Sequence, residues 1–277
     1  MEEIAWAKIN LALHVRGREP DSYHRIETIF AFAEDGDRLR VGPGTELSLQ
    51  VEGLFAEALG DSEENLVMRA ARALRERFGV EGGATLTLDK RLPVAAGLGG
   101  GSADAAAALR LLPRWWGLDA DEEVLLEIAR TLGADVPACL RSEAALGKGR
   151  GDDLAPVDGS TFGGTPILLV NAGTPLSTKD VFDRWDGIDR GPLPLGPPLA
   201  AALAGRNDLE PPALLLDRDI GRVLAALATA PGATLVRMTG SGATCFALFR
   251  TEAERDAAAS MIGRESPGWW RLATRLR

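Results

Sequence analysis

Residues 93–104 read Pro-Val-Ala-Ala-Gly-Leu-Gly-Gly-Gly-Ser-Ala-Asp, with four glycines in five positions. An alternating stretch, Ala84-Thr85-Leu86-Thr87-Leu88, leads into the run, and an alanine-rich stretch at 103–112 leads out. The pattern predicts strand, glycine loop and helix N-terminus. Glycine lets the backbone turn tightly and approach a bulky ligand closely. The N–H groups that open a helix lack intrahelical partners, and the macrodipole adds partial positive charge there. Such a loop is built for an anion, most simply nucleotide phosphates. It is not a Walker loop, because Ser102 and Ala103 follow Gly101 where Lys-Ser/Thr is needed. It is not a dinucleotide fingerprint either: the third small residue falls on Ser102 counting from Gly97, or on Asp104 counting from Gly99. A flexible surface linker is the plainer alternative. Pro93, the single Leu98 and the helix directly behind argue against it.

Three further places carry chemistry. Residues 4–16 alternate, with Ala5, Ala7, Ile9, Leu11, Leu13 and Val15 on one face and Trp6, Lys8, Asn10, Ala12, His14 and Arg16 on the other. Lys8 and Asn10 thus project side by side, as a solvated strand face or as a working polar pair. Tyr23 is the only tyrosine, and His14 and His24 are the only histidines. Tyr23-His24, after the turn at 17–22, is either a platform for a flat ring or a packed turn. Asp135 lies in Gly133-Ala134-Asp135-Val136-Pro137, and Pro137 disfavours helix at Val136, so the acid is expected at a helix-to-extended junction. There it is a capping or turn aspartate, or a partly buried proton acceptor.

A chain of 277 residues is comfortable for two domains, with a boundary in the Gly- and Asp-rich stretch 147–165. The net charge of −9 argues against a nucleic-acid or anionic-membrane binder. Cys139 and Cys245 sit in apolar runs without metal spacing and read as reduced thiols of a cytoplasmic protein. Met1-Glu2-Glu3 is acidic and no apolar run reaches a membrane span, so neither a signal peptide nor membrane insertion is expected.

Along the chain, strands are expected at 26–32 and 38–41, separated by a turn at Asp35-Gly36-Asp37, and again at 46–51. Helices are expected at 65–78, from 103 to a stop near Pro113, and at 121–132. A short strand at 167–170 follows, then a segment 174–185, a loop at 186–198 and a helix over 213–228. The tail reads strand 234–238, turn Thr239-Gly240-Ser241-Gly242, strand 244–249, helix 253–262 and strand 269–274, a split βαβ order. The 239–242 turn is a plain hairpin or a second close approach to ligand.

Three of these segments resemble the GHMP kinase superfamily in order and spacing: Lys8-Ile9-Asn10, Pro93 with Gly97-Leu98-Gly99-Gly100-Gly101-Ser102-Ala103-Asp104, and Thr239-Gly240-Ser241-Gly242. Ala7-Lys8-Ile9-Asn10-Leu11, Arg18-Glu19-Pro20-Asp21-Ser22-Tyr23-His24, Leu132-Gly133-Ala134-Asp135-Val136-Pro137 and Asn207-Asp208-Leu209-Glu210 narrow this further. They resemble the branch that phosphorylates a cytidine diphosphate-linked methylerythritol in non-mevalonate isoprenoid synthesis. Two departures from the family pattern stand out: Ser22 where a glycine is usual, and Ala95-Ala96 where glycines are frequent, which implies a stiffer loop.

The resemblance implies an α+β chain of two domains. Residues 1–155 form a ribosomal-S5-like domain with the ATP loop, residues 156–277 a ferredoxin-like domain, and the active site lies in a cleft between them. It implies ATP and Mg²⁺ without assigning the Mg²⁺ ligands. It makes Asp135 the base, with Lys8 assisting. The substrate falls to Asn10 at the erythritol end, Tyr23, His24 and Phe182 at the cytosine, and Thr178. The nucleotide falls to Pro93, Gly97, Leu98, Gly99, Gly100, Gly101, Ser102, Ala103, Gly240, Ser241 and Gly242, with Asn65 and Lys90 on the adenosine side. Partners are small molecules, and monomer and homodimer both remain open. The rivals are a superfamily kinase acting on homoserine, mevalonate or a sugar, and a non-catalytic nucleotide-binding protein on the same scaffold. Loss of Lys8 or Asp135 would mark the latter, and both are present.

Overall fold

A computed structural model describes residues 1–21, 23–59 and 65–277. Ser22, one of the two departures from the family, lies outside the described residues. The chain forms two compact units, each built from separate segments: Met1–Ala7, Asp35–Val94 and Gly99–Ser142 in the first, and Lys8–Glu34, Ala95–Leu98 and Glu143–Arg277 in the second. Strands β1 (Glu2–Arg18) and β2 (His24–Gly42) pair with each other and pass from one unit into the other.

In the first unit, β4 (Ala84–Asp89) lies between β2 and β3 (Leu47–Glu52), antiparallel to the former and parallel to the latter. A parallel neighbour requires a crossover, and α1 (Leu66–Phe78) supplies it. Asn65 caps α1 by accepting the Val67 N–H at 2.9 Å. Helices α2 (Gly100–Trp116), α3 (Glu122–Leu132) and α4 (Val136–Arg141) complete the unit, and α1, α3 and α4 all pack on α2. The alanines Ala103 and Ala105–108 of α2 are buried, so small side chains let its neighbours come close.

In the second unit, a hairpin of β5 (Ala145–Lys148) and β6 (Asp153–Pro156) extends β2, with Thr28 opposite Gly147. The expected domain boundary, between 155 and 156, falls at the end of β6. A separate four-stranded antiparallel sheet holds β7 (Pro166–Asn171), β8 (Ala233–Met238), β9 (Cys245–Phe249) and β10 (Trp270–Arg275), in the order β10-β7-β9-β8. This is the ferredoxin-like order that the strand–helix alternation predicted. Helices α5 (Thr178–Asp183), α6 (Pro198–Ala204), α7 (Glu210–Leu216), α8 (Asp219–Ala228) and α9 (Glu252–Glu265) surround it. Leu168, Val170, Val223, Leu227, Ala247 and Phe249 share its core, at about 1.5–3 kcal/mol for each large side chain fully buried.

Four local expectations are corrected. There is no turn at 35–37, because β2 runs through it as one strand. A Cβ on Gly36 would sit 1.9 Å from the Ala5 carbonyl oxygen, so this glycine serves close strand contact rather than a turn. Helix α2 continues past Pro113 to Trp116. Proline in the last turn removes only one ladder bond, and the helix stops at left-handed Gly117, whose N–H reaches the Pro113 carbonyl. Asp135 precedes helix α4 rather than an extended segment, since Pro137 falls in the first turn, where no N–H is needed. The expected helix 213–228 is two helices, broken where Asp217 accepts the Asp219 N–H at 2.9 Å.

Candidate active site

The polar face of β1 is not solvated. Lys8 is 4% exposed and Asn10 1%, and His14 is fully buried. Lys8 Nζ donates to Asn10 Oδ1 at 3.0 Å and lies 5.2 Å from the Phe30 ring centre. Asn10 Nδ2 donates to Thr28 Oγ1 at 2.7 Å, and Thr28 donates onward to the Ala12 carbonyl at 2.7 Å. The Asn10 backbone N–H donates to Thr239 Oγ1 at 2.9 Å. Buried polar groups cost free energy unless they are paired. This relay meets that demand and fixes the direction of the lysine.

The loop residues of the second unit are anchored through their carbonyls. Lys8 N–H donates to the Leu98 carbonyl at 3.0 Å, Leu176 N–H to Ala95 at 3.2 Å and Thr244 N–H to Ala96 at 3.1 Å. A Cβ on Gly97, at φ +76°, would lie 2.4 Å from the Thr239 carbonyl oxygen and 2.9 Å from the Gly242 nitrogen. The turn at 239–242 therefore packs backbone against backbone on Gly97, which neither sequence alternative described. Ser241 Oγ and Thr178 Oγ1 are 2.9 Å apart, joining a residue expected at the nucleotide to one expected at the substrate. Ala95 adopts φ +52°, a left-handed conformation easier for the glycine it replaces.

In the first unit the glycine run delivers Gly99 in the left-handed region as the N-cap of α2, with no side-chain cap. The opening N–H groups of a 17-residue helix are thus left without a capping side chain. This fits a phosphate group. Among the described residues no group of three or more metal-ligating side chains occurs. Asp135 is half-buried, and its side chain makes no capping bond to α4. The capping half of the plainer alternative therefore falls away, while Ala134 and Asp135 do form a turn before α4.

Lys90, expected on the adenosine side, has a fully buried ammonium that meets Asp37 Oδ2 at 2.5 Å and Asp104 Oδ2 at 2.7 Å. Asn65, expected beside it, caps α1 as described.

Tyr23 and His24 part company. His24 is buried, its ring 4.9 Å from Phe182 and 5.6 Å, edge-on, from Trp185. Burial, with the Arg18 charge second, holds the imidazole below its usual pKa, so the ring is neutral near pH 7 and carries one donor and one acceptor nitrogen. Tyr23 is 53% exposed, with the Arg150 guanidinium 4.0 Å from its ring centre. Trp185 and Arg150 are the members that the sequence reading missed. Neither carries a motif, and only tertiary packing brings them to the Tyr-His pair.

The sequence model of the GHMP kinases N terminal domain matches residues 65–143, and that of the GHMP kinases C terminal domain matches 196–267. A 4-diphosphocytidyl-2-C-methyl-D-erythritol kinase of Rhizorhabdus wittichii is 58% identical over 99% of this chain and 94% of its own length. One of Sphingopyxis alaskensis is 48% identical over 100% of the chain and 99% of its length. A crystal structure of 4-(cytidine 5'-diphospho)-2C-methyl-D-erythritol kinase matches with TM-score 0.83 at 34% identity, covering 100% of this chain and 99% of that one. A homoserine kinase from Cytophaga hutchinsonii, at TM-score 0.71 and 16% identity over 99% of this chain and 95% of that one, shares the fold. With both family domains matched in order, and relatives this similar along its whole length, the chain belongs to the GHMP kinase family.

Proposed function

We propose that this kinase transfers the γ-phosphoryl of ATP to a hydroxyl of 4-diphosphocytidyl-2-C-methyl-D-erythritol. The alcohol oxygen bonds to the γ-phosphorus as the bond to the β-phosphate oxygen breaks, and ADP leaves. Asp135 accepts the alcohol proton. Lys8, oriented by Asn10, offers its ammonium to the charge on the transferring group, and Asn10 faces the erythritol end. The N–H groups of the loop and of the first turn of α2 hold the β- and γ-phosphates. Mg²⁺ supplies charge neutralisation on those phosphates when bound. Phosphoryl transfer asks for little else, since positioning and electrostatics carry most of it. In chain order, 1–155 carries the nucleotide loop and 156–277 the ferredoxin-like sheet.

One observation carries the choice of substrate: a buried His24 held by Phe182 and Trp185 next to an exposed Tyr23. A neutral imidazole offers a donor and an acceptor to a nucleobase edge, and the phenol offers a stacking face. A site for homoserine, mevalonate or a simple sugar has no use for this platform. Lys90, engaged by two carboxylates, enters the proposal as a support under the loop rather than as an adenosine contact.

An ADP-release assay with ATP and Mg²⁺ tests the reading, with the cytidylyl substrate run beside homoserine, mevalonate and galactose. Turnover confined to the cytidylyl substrate is the expected result. Turnover with another acceptor overturns the nucleobase platform, and silence on all four with ATP still bound favours a non-catalytic protein. Tyr23→Ala is expected to raise KM for the cytidylyl substrate about tenfold, with kcat within a fewfold, because it removes a stacking face far from the transferred phosphoryl. An unchanged KM removes Tyr23 from the site.

A further inference from the structure

Asp37, Lys90 and Asp104 meet in the first unit with no water-accessible surface to speak of. Asp37 closes the chain on the upstream side of the glycine run: its Oδ1 accepts the Arg91 N–H at 2.6 Å and the Leu92 N–H at 2.8 Å, the two residues before Pro93. Its Oδ2 takes the Lys90 ammonium at 2.5 Å. On the downstream side the same ammonium donates to Asp104 Oδ2 at 2.7 Å, in the second turn of α2. Gly100, the first residue of α2, turns its bare Cα towards that ammonium, and a Cβ there would lie 3.0 Å from Lys90 Nζ. One buried lysine thus touches both ends of the run that precedes and opens the helix.

The arrangement is costly if stability is its only purpose. Two carboxylates face one ammonium in a dry interior, and Asp104 Oδ1 has no hydrogen-bond partner among the described residues. An apolar replacement of such a group is often neutral or stabilising. Desolvation first, and then the Asp37 charge, push the Asp104 carboxyl up to about 7 against the pull of Lys90. Desolvation alone would lower Lys90, but the two carboxylates outweigh it and hold the ammonium above its usual value.

We infer that Asp37, Lys90 and Asp104 form a positioning clasp, which joins the two ends of the glycine run and so sets the geometry in which the loop receives the nucleotide phosphates. The inference rests on the reading of residues 93–104 as the ATP loop. The clasp touches no substrate. It acts through Arg91, Leu92 and Gly100, and its effect belongs to nucleotide affinity rather than to the chemical step.

Three variants test it in the full-length enzyme, with KM, kcat, MgATP affinity by calorimetry and thermal melting as readouts. Asp104→Ala removes the downstream tie and the unpartnered oxygen, and alanine favours the helix. It is expected to raise KM and Kd for MgATP about tenfold, with kcat within twofold and KM for the alcohol substrate unchanged, in a variant that keeps a cooperative melting transition. Asp104→Asn, whose amide oxygen still accepts from Lys90, is expected to restore nucleotide affinity. Gly100→Ala presses a methyl against Lys90 Nζ while keeping all three charged groups, and is expected to weaken MgATP in the same way. Wild-type MgATP affinity in this variant counts against the clasp even if Asp104→Ala does not fold. Nucleotide affinity equal to wild type in folded Asp104→Ala and in Gly100→Ala overturns the clasp. So does a fall in kcat together with a rise in both KM values and a lost melting transition, which is the mark of a purely structural role. Gly99→Val separates this failure from that of the loop: unaltered MgATP affinity there removes the ATP-loop reading itself, and the clasp with it.

Discussion

Asp135→Asn is expected to lower kcat by about 10²-fold or more while MgATP binds with nearly wild-type affinity. The amide is the same size as the carboxylate, but its oxygen is far too weak a base to take a proton from an alcohol. Asp135 precedes α4 through its backbone, with its carbonyl accepting the Cys139 N–H at 3.0 Å, and its side chain makes no capping bond to lose. Thermal melting run in parallel ensures that a loss of turnover is read only in a folded variant. Single-turnover kinetics with calorimetry of MgATP binding separates the steps. Wild-type turnover in the variant removes Asp135 from the chemistry.

Gly97→Ala is expected to cost about 2–5 kcal/mol of stability. Roughly 1–2 kcal/mol comes from placing a side chain in the left-handed region. A further 1–3 kcal/mol or so comes from backbone forced aside. The obstacle is rigid: the Thr239 carbonyl oxygen at 2.4 Å and the Gly242 nitrogen and carbonyl oxygen at 2.9 Å are main-chain atoms, with no rotamer to yield. At about 2–4 °C per kcal/mol for a chain of somewhat smaller size, the melting temperature should fall by several degrees or more. Gly164→Ala is the matched control. Its φ of +77° is nearly the same, but a Cβ there meets nothing within 4 Å. It should pay only the conformational part. Equal losses in the two variants would falsify the crowding argument. A nucleotide KM raised in Gly97→Ala alone would tie the 239–242 turn to the shape of the loop.

The parts of the molecule that were legible in the sequence are those governed by local rules. The alternation at 4–16 appears as β1, the helical spacing at 65–78 as α1, and the glycine run as a loop opening α2. Local rules failed where a long-range partner overrode them. Asp35-Gly36-Asp37 has turn composition, but Gly36 is there to let β1 pass and Asp37 to receive Lys90 and two backbone N–H groups. Pro113 is a helix breaker by propensity, but it sits so near the end of α2 that its missing donor matters little. His24 and, through the resemblance, Phe182 were visible as residues of interest, whereas Trp185, more than 150 positions from His24, is brought to it only by packing.

By itself the sequence determined the strand-turn-strand-helix-strand order of residues 234–274, the glycine opening of α2, and the residue types available for phosphoryl transfer. Periodicity, propensity and motif spacing are properties of neighbouring residues and need no fold to be read. Only the tertiary structure decided that the Lys8–Asn10 face is buried, that Gly97 packs against the 239–242 turn, and that Lys90 spends its charge on two carboxylates. Burial, desolvation and ion pairing depend on distances between residues far apart in the chain, and those distances exist only once the chain has folded.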